Sequence, residues 1–136
     1  GLTVELSVAG DSSLFIADRN EGNYDFFLGG WYSDYNDPLD FLYTNYTDAY
    51  GMSFGGYSNT DYDALADQLV GETDMDKRLD IYKQMEQILL LDDCAFAPIY
   101  YATKQVLLQN WVKDYRTSSF GASAEFIWTY IDGKNQ

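Results

Sequence analysis

The chain has 136 residues, a formal net charge of −14, and 46% hydrophobic and 18% aromatic residues. That charge excludes nucleic acid as a partner, because such binding rests on Lys and Arg neutralising phosphates, and it disfavours an anionic membrane surface. The apolar content excludes a disordered tail, and the length suits one domain or a piece of a larger protein.

Residues 2–8 alternate, with Leu2, Val4, Leu6 and Val8 on one face and Thr3, Glu5 and Ser7 on the other, which predicts a half-buried strand. Such a start reads as a domain cut from a longer chain or a processed one. Gly10 to Ser13 form a turn and cap, and Leu14 to Asn20 a short helix ending near Gly22. Residues 24–28 are nearly continuous apolar, as in a strand covered on both faces. Strand, helix and strand in this order predict a right-handed βαβ unit with parallel strands.

The stretch Gly29-Gly30-Trp31-Tyr32-Ser33-Asp34-Tyr35-Asn36-Asp37-Pro38-Leu39-Asp40-Phe41 follows. Ligands of open parallel sheets sit beyond the carboxyl ends of strands, where this stretch lies. Its aromatics and carboxylates form a surface that can stack and take a cation, which makes it a candidate wall of a ligand site. The plainer alternative is a glycine bulge with a core Trp and a solvated acidic loop.

Pro38 opens a single helical turn to Tyr43. Residues 44–57 are irregular and include the sequon Asn45-Tyr46-Thr47, of weight only in a eukaryotic secretory setting. Asn59 or Thr60 caps a helix to about Val70, stopped by Gly71. Thr73 with Asp76 resembles a capping box opening the longest helix, to about Leu91, whose core stripe is Met75, Leu79, Tyr82, Met85 and Leu89, widened by Ile81 and Ile88. Cys94 reads as a buried structural thiol. Residues 95–108 predict strand with a polar interruption at 102–105. Residues 110–115 form a loop with two aromatic anchors, 117–124 a small polar run, 125–131 a last strand, and 132–136 a polar tail. Most of the 13 tyrosines are expected to edge a sheet.

Much enzyme chemistry is missing. With no His and one Cys, the chain offers no Ser-His or Cys-His pair, no zinc site and no internal disulfide. Phosphate-loop and dinucleotide fingerprints are absent. Asp34-Tyr35-Asn36 begins like a calcium loop, but the fifth ligand position falls on Pro38 and the glycine position on Leu39. A carboxylate pair for glycoside hydrolysis is conceivable, yet no acid is singled out for it. No enzyme activity, catalytic residue, metal or cofactor is expected.

The spacing Gly30-Trp31-x-x-Asp34-x-x-Asp37-Pro38-x-x-Phe41 resembles a motif in the C-terminal lobe of oligopeptide- and dipeptide-binding proteins, the substrate-binding proteins of ABC importers (extracellular solute-binding protein family 5). Tyr24-Asp25, Tyr62-Asp63-Ala64-Leu65, the helix from Lys77 to Leu89, and Ala97-Pro98-Ile99-Tyr100-Tyr101 are similar to the family's flanking segments in the same order. The resemblance implies an α/β fold, the C-terminal lobe of a two-lobed, periplasmic-binding-protein-like (type II) fold with a mixed sheet flanked by helices. It implies a lobe core over 1–102 and a segment over 103–136 returning towards the N-terminal lobe.

By the same resemblance, Asp34 takes the α-ammonium of a bound peptide. Trp31 and the backbone of Tyr32 and Ser33 line the peptide's path, and Tyr35 and Asn36 shape the rim. Asp37 and Asp40 are expected as a helix-start acid and a solvated face. Some relatives carry a basic residue before the Trp to take the peptide carboxylate; here Leu28 occupies that region. The implied partners are short peptides and a membrane ABC permease, the intact receptor being a monomer. Its place is extracytoplasmic, in the periplasm or lipid-anchored on the outer face of the cell membrane. The alternatives are a same-fold receptor for a sugar or metal complex, and a carbohydrate-active domain.

Overall fold

The structure, a computed structural model, describes residues 1–50, 56–121 and 124–134. Parts of the expected irregular stretch (51–55), small polar run (122–123) and tail (135–136) lie outside the described residues.

Among the described residues, four α-helices form where local signals are strongest. Helix α1, Ser12–Glu21, is capped by Asp11, whose carboxylate accepts from the backbone N–H groups of Ser13 and Leu14, and it ends at Gly22 with φ 72°. Helix α2, Leu39–Tyr46, is longer than the single turn expected. Pro38 enters with φ −56°, already helical. A 3-10 turn, Asp48–Tyr50, follows. Helix α3, Thr60–Leu69, is capped by Asn59, which accepts from Asp61 N and Tyr62 N.

Helix α4, Met75–Gln87, runs on into a π-helical turn, Ile88–Asp92. Its cap is Asp74, not Thr73: the Asp74 carboxylate accepts from Asp76 N at 3.0 Å and Lys77 N at 3.2 Å. A carboxylate one residue nearer the helix displaces the expected capping box.

The core lies between α2, α3 and α4 and comprises Leu42, Tyr62, Ala66, Leu69, Ile81, Tyr82, Met85 and Leu89. Each large apolar side chain there contributes roughly 1.5–3 kcal/mol. Tyr62 is fully buried and donates to Leu42 O at 2.8 Å, so this tyrosine belongs to a helical core rather than a sheet edge. Met75 and Leu79 are exposed, against expectation. The inward stripe of α4 and the π turn is Arg78, Ile81, Tyr82, Met85 and Leu89, so that its first member is a cation: Arg78 stands inward where Leu79 was expected. Asn45 is buried and its amide donates to Phe41 O at 3.2 Å, which closes the sequon to modification in this fold.

The sheet is smaller than expected. Strands β1, Val112–Lys113, and β2, Tyr130–Ile131, pair antiparallel, with Val112 opposite Ile131 and Lys113 opposite Tyr130. An isolated bridge joins Arg116 and Glu125. Residues 2–8, 24–28 and 95–108 form no ladder, so the expected parallel βαβ pairing does not occur among the described residues. A strand is stabilised by its cross-strand neighbours, and these segments face none. Cys94 is exposed rather than buried: it sits at φ 50° where the chain leaves the π turn, outside the three-helix core.

Candidate functional site

The candidate stretch is a turn held from two sides. Inside it, the carboxylate of Asp40, in the first turn of α2, accepts from the Trp31 indole Nε1 at 2.8 Å and from Asp34 N at 3.0 Å. Asp40 is 1% exposed, so the expectation of a solvated face is wrong. Its burial follows from these bonds, since a carboxylate leaves water only with donors to replace it. Ser33 Oγ donates to Tyr35 O, and Asp37 N donates to Tyr35 O at 3.0 Å.

From outside, Asp37 ties the turn to α4. Its carboxylate accepts from Leu39 N at 2.9 Å, the helix-start role expected of it, and also pairs with Arg78 at 2.8 Å. The Tyr82 hydroxyl donates to the same carboxylate. Arg78 further donates to Leu69 O at 3.2 Å and Glu72 O at 3.1 Å, so one guanidinium joins the turn, the end of α3 and the start of α4. Partial burial raises the Asp37 pKa, but the Tyr82 hydroxyl, the Leu39 N–H and Arg78 outweigh it and hold the carboxyl below the usual aspartate range. Burial, with Asp37 beside it, pushes the Tyr82 hydroxyl up to about 12.

The six predicted residues fall on one short segment but divide in role. Trp31 and Ser33 are partly buried. Tyr32 is 65% exposed, with Lys104 Nζ 5.2 Å from its ring centroid. Asp34 and Asn36 are exposed, and so is Tyr35, whose hydroxyl pKa is raised by partial burial and then by Asp40 and Asp37. The C-terminal segment meets the turn where Gly121 N donates to Ser33 O at 2.7 Å. A Cβ on Gly121 would stand 3.5 Å from Asp34 O, and its φ of 66° favours glycine. The turn thus presents an exposed carboxylate among aromatic rings on a backbone fixed from behind.

Sequence reasoning missed Asp40 as a structural acceptor, missed Arg78 as a partner of the turn, and read Tyr82 only as a core residue. One signal was present: Arg78 stands at the inward position of the α4 stripe, four before Tyr82, where an unpaired cation would be costly. No group of three or more metal-ligating side chains occurs among the described residues, and none of their helices is long and apolar enough to cross a membrane.

In sequence and in fold the chain is similar to segments of substrate-binding proteins. The substrate-binding domain of an oligopeptide ABC transporter from Bacillus anthracis str. Ames superposes with a TM-score of 0.74 at 25% identity, over 85% of this chain and 23% of that one. No protein-family profile matches the chain. Its relatives include peptide-binding proteins and a heme-binding protein of Haemophilus influenzae (28% identical over 116 residues); it is 31% identical over 115 residues to the periplasmic oligopeptide-binding protein OppA of Escherichia coli (strain K12). It is 34% identical over 101 residues to the periplasmic murein peptide-binding protein MppA of the same organism. The OppA and MppA alignments take in 85% and 74% of the chain but 21% and 18% of the relatives, so the chain spans about a fifth of their length.

Proposed function

We propose that this chain is part of a longer extracytoplasmic receptor that binds short peptides and hands them to a membrane ABC permease, and that Asp34 captures the peptide's α-ammonium. The observation that carries this reading is the exposed Asp34 carboxylate beside Trp31, Tyr32 and Tyr35, on a turn whose backbone is anchored by Asp40. An ammonium drawn into a closing cleft needs a carboxylate, since an unpaired buried charge costs several kcal/mol or more. Peptide backbone laid along residues 29–33 gains hydrogen bonds without reading side chains. Trp31 and the backbone of Tyr32 and Ser33 line that path, and Tyr35 and Asn36 form its rim.

In this reading the chain supplies the C-terminal lobe, with its core over 1–102 and a returning segment over 103–136. The bond between Gly121 and Ser33 supports a returning segment that braces the site. The receptor works as a monomer, binds rather than catalyses, and is lipid-anchored or free outside the cytoplasm. The many exposed apolar side chains of residues 2–8, 95–108 and 126–131 suit a chain whose remaining length covers them.

Calorimetric titration of the full-length receptor with short peptides, wild type against Asp34→Ala, tests the reading. The substitution is expected to weaken binding by about two orders of magnitude, the loss of a charge-assisted contact in a closed site. Equal binding by both proteins removes Asp34 from the site. Failure of any free-amine peptide to bind the wild type overturns the peptide reading.

A further inference from the structure

Asp40 is the one carboxylate that the turn folds around. It is 1% exposed, although it stands in the first turn of a helix, where acids ordinarily remain in water. The two donors that reach it among the described residues, Trp31 Nε1 and Asp34 N, meet the same oxygen, Oδ2. They lie at the two ends of the four residues Trp31 to Asp34. A single acceptor atom therefore fixes the indole at one end of the ligand wall and the backbone of the proposed ammonium partner at the other. No other polar side chain of the turn is as buried: Asp34, Tyr35 and Asn36 are exposed, and Ser33 and Asp37 are only partly covered.

We infer that Asp40 is a positioning residue for amine selectivity: by accepting from Asp34 N and Trp31 Nε1 it sets where the Asp34 carboxylate meets a ligand ammonium. This rests on the reading of Asp34 as the ammonium's partner. The physical requirement is placement, because a charge-assisted N–H···O contact has a heavy-atom range of about 2.7–2.9 Å and weakens when either group is displaced. The main chain of Asp34 would drift without its acceptor, and its carboxylate would drift with it. What Asp40 supplies is an acceptor at a fixed reach, not its charge. Asparagine offers a carbonyl oxygen at the same reach; glutamate keeps the charge but carries the acceptor one methylene further.

The test is a selectivity ratio measured in the full-length receptor, with trialanine and N-acetyl-trialanine as probes and calorimetry as the readout. The wild type is expected to favour the free amine by at least about tenfold. Asp40→Asn is expected to keep that ratio within about threefold, whereas Asp40→Glu loses at least about tenfold towards trialanine and little towards the acetylated peptide. A mere packing role would weaken both probes together. The proposal is overturned if glutamate preserves the ratio and asparagine abolishes it, if both preserve it, or if both probes fall in parallel. Asp34→Asn separates the two levels: if it leaves the ratio intact, the amine-capture reading itself fails, whereas if it collapses the ratio and the Asp40 variants do not follow the expected pattern, only the role of Asp40 is lost.

Discussion

The helical block of α2, α3, α4 and the π turn and the segments 2–8 and 95–108 are all rich in apolar side chains, but they come to opposite ends. In the block, Tyr62, Ala66, Leu69, Met85 and Leu89 are at most 1% exposed. In the other segments, Leu2, Tyr101 and Leu107 are at least 96% exposed. The difference lies in where the partners are. Amphipathic helices close on one another through neighbours in the same fifty or so residues, whereas a strand needs a second strand at its edge whatever its own composition. Apolar content alone therefore does not mark a core; the supply of partners does.

The largest effect expected from this contrast is at Leu89. In the 136-residue chain by itself, Leu89→Ala should cost about 2–5 kcal/mol by leaving a cavity between α4 and its neighbours, whereas Leu107→Ala should stay within about 0.5 kcal/mol. Urea unfolding of the two variants measures the difference. Comparable losses would break the comparison, because Leu107 would then have hidden partners.

The ion pair between the turn and the block comes next. Asp37→Asn should destabilise by about 1–3 kcal/mol, leaving Arg78 partly buried without its counter-charge. The sign of the pH effect follows from the lowered Asp37 pKa. The folded state holds the carboxylate ionised, so its contribution is present above the unfolded-state value of about 3.9 and is lost as the pH falls through the lower folded value. Thermal melts across the acid range should show a shallower acid limb in Asp37→Asn than in the wild type. An identical limb would show that Asp37 titrates alike folded and unfolded.

The smallest effect sharpens the comparison at the edge of the block. Asn59→Ala removes the cap of α3 and the amide bond to Asp93 at 2.7 Å, and should cost about 1 kcal/mol. Circular dichroism melts would register it, and an unchanged midpoint would mean that packing alone holds the helix start.

The sequence made the helices legible because caps and 3.6-residue spacing are local. Asn59, Asp11 and Gly22 stood where the structure uses them, and Tyr82, Met85 and Leu89 were readable as core. The candidate turn was legible as a segment, through its glycines, aromatics and acids. What holds it was not. Asp40 and Asp37 look like any loop acids until the chain curls, and the partners of Asp37 lie 41 and 45 residues away. Periodicity carries no information over such distances. The strands were legible as sequence and absent as ladders, because pairing depends on residues outside the segments that show the pattern.

The reach from Asp37 to Arg78 also sets an order of events. Closing so long a loop is slow compared with forming helices of 8–13 residues, and it rewards the chain only once α4 has docked against α2 and α3. The candidate turn is thus among the last parts to take its final shape during refolding. Fluorescence of the Trp31 environment should lag the helical signal after dilution from denaturant, so that competence to recognise a ligand arrives later than compactness.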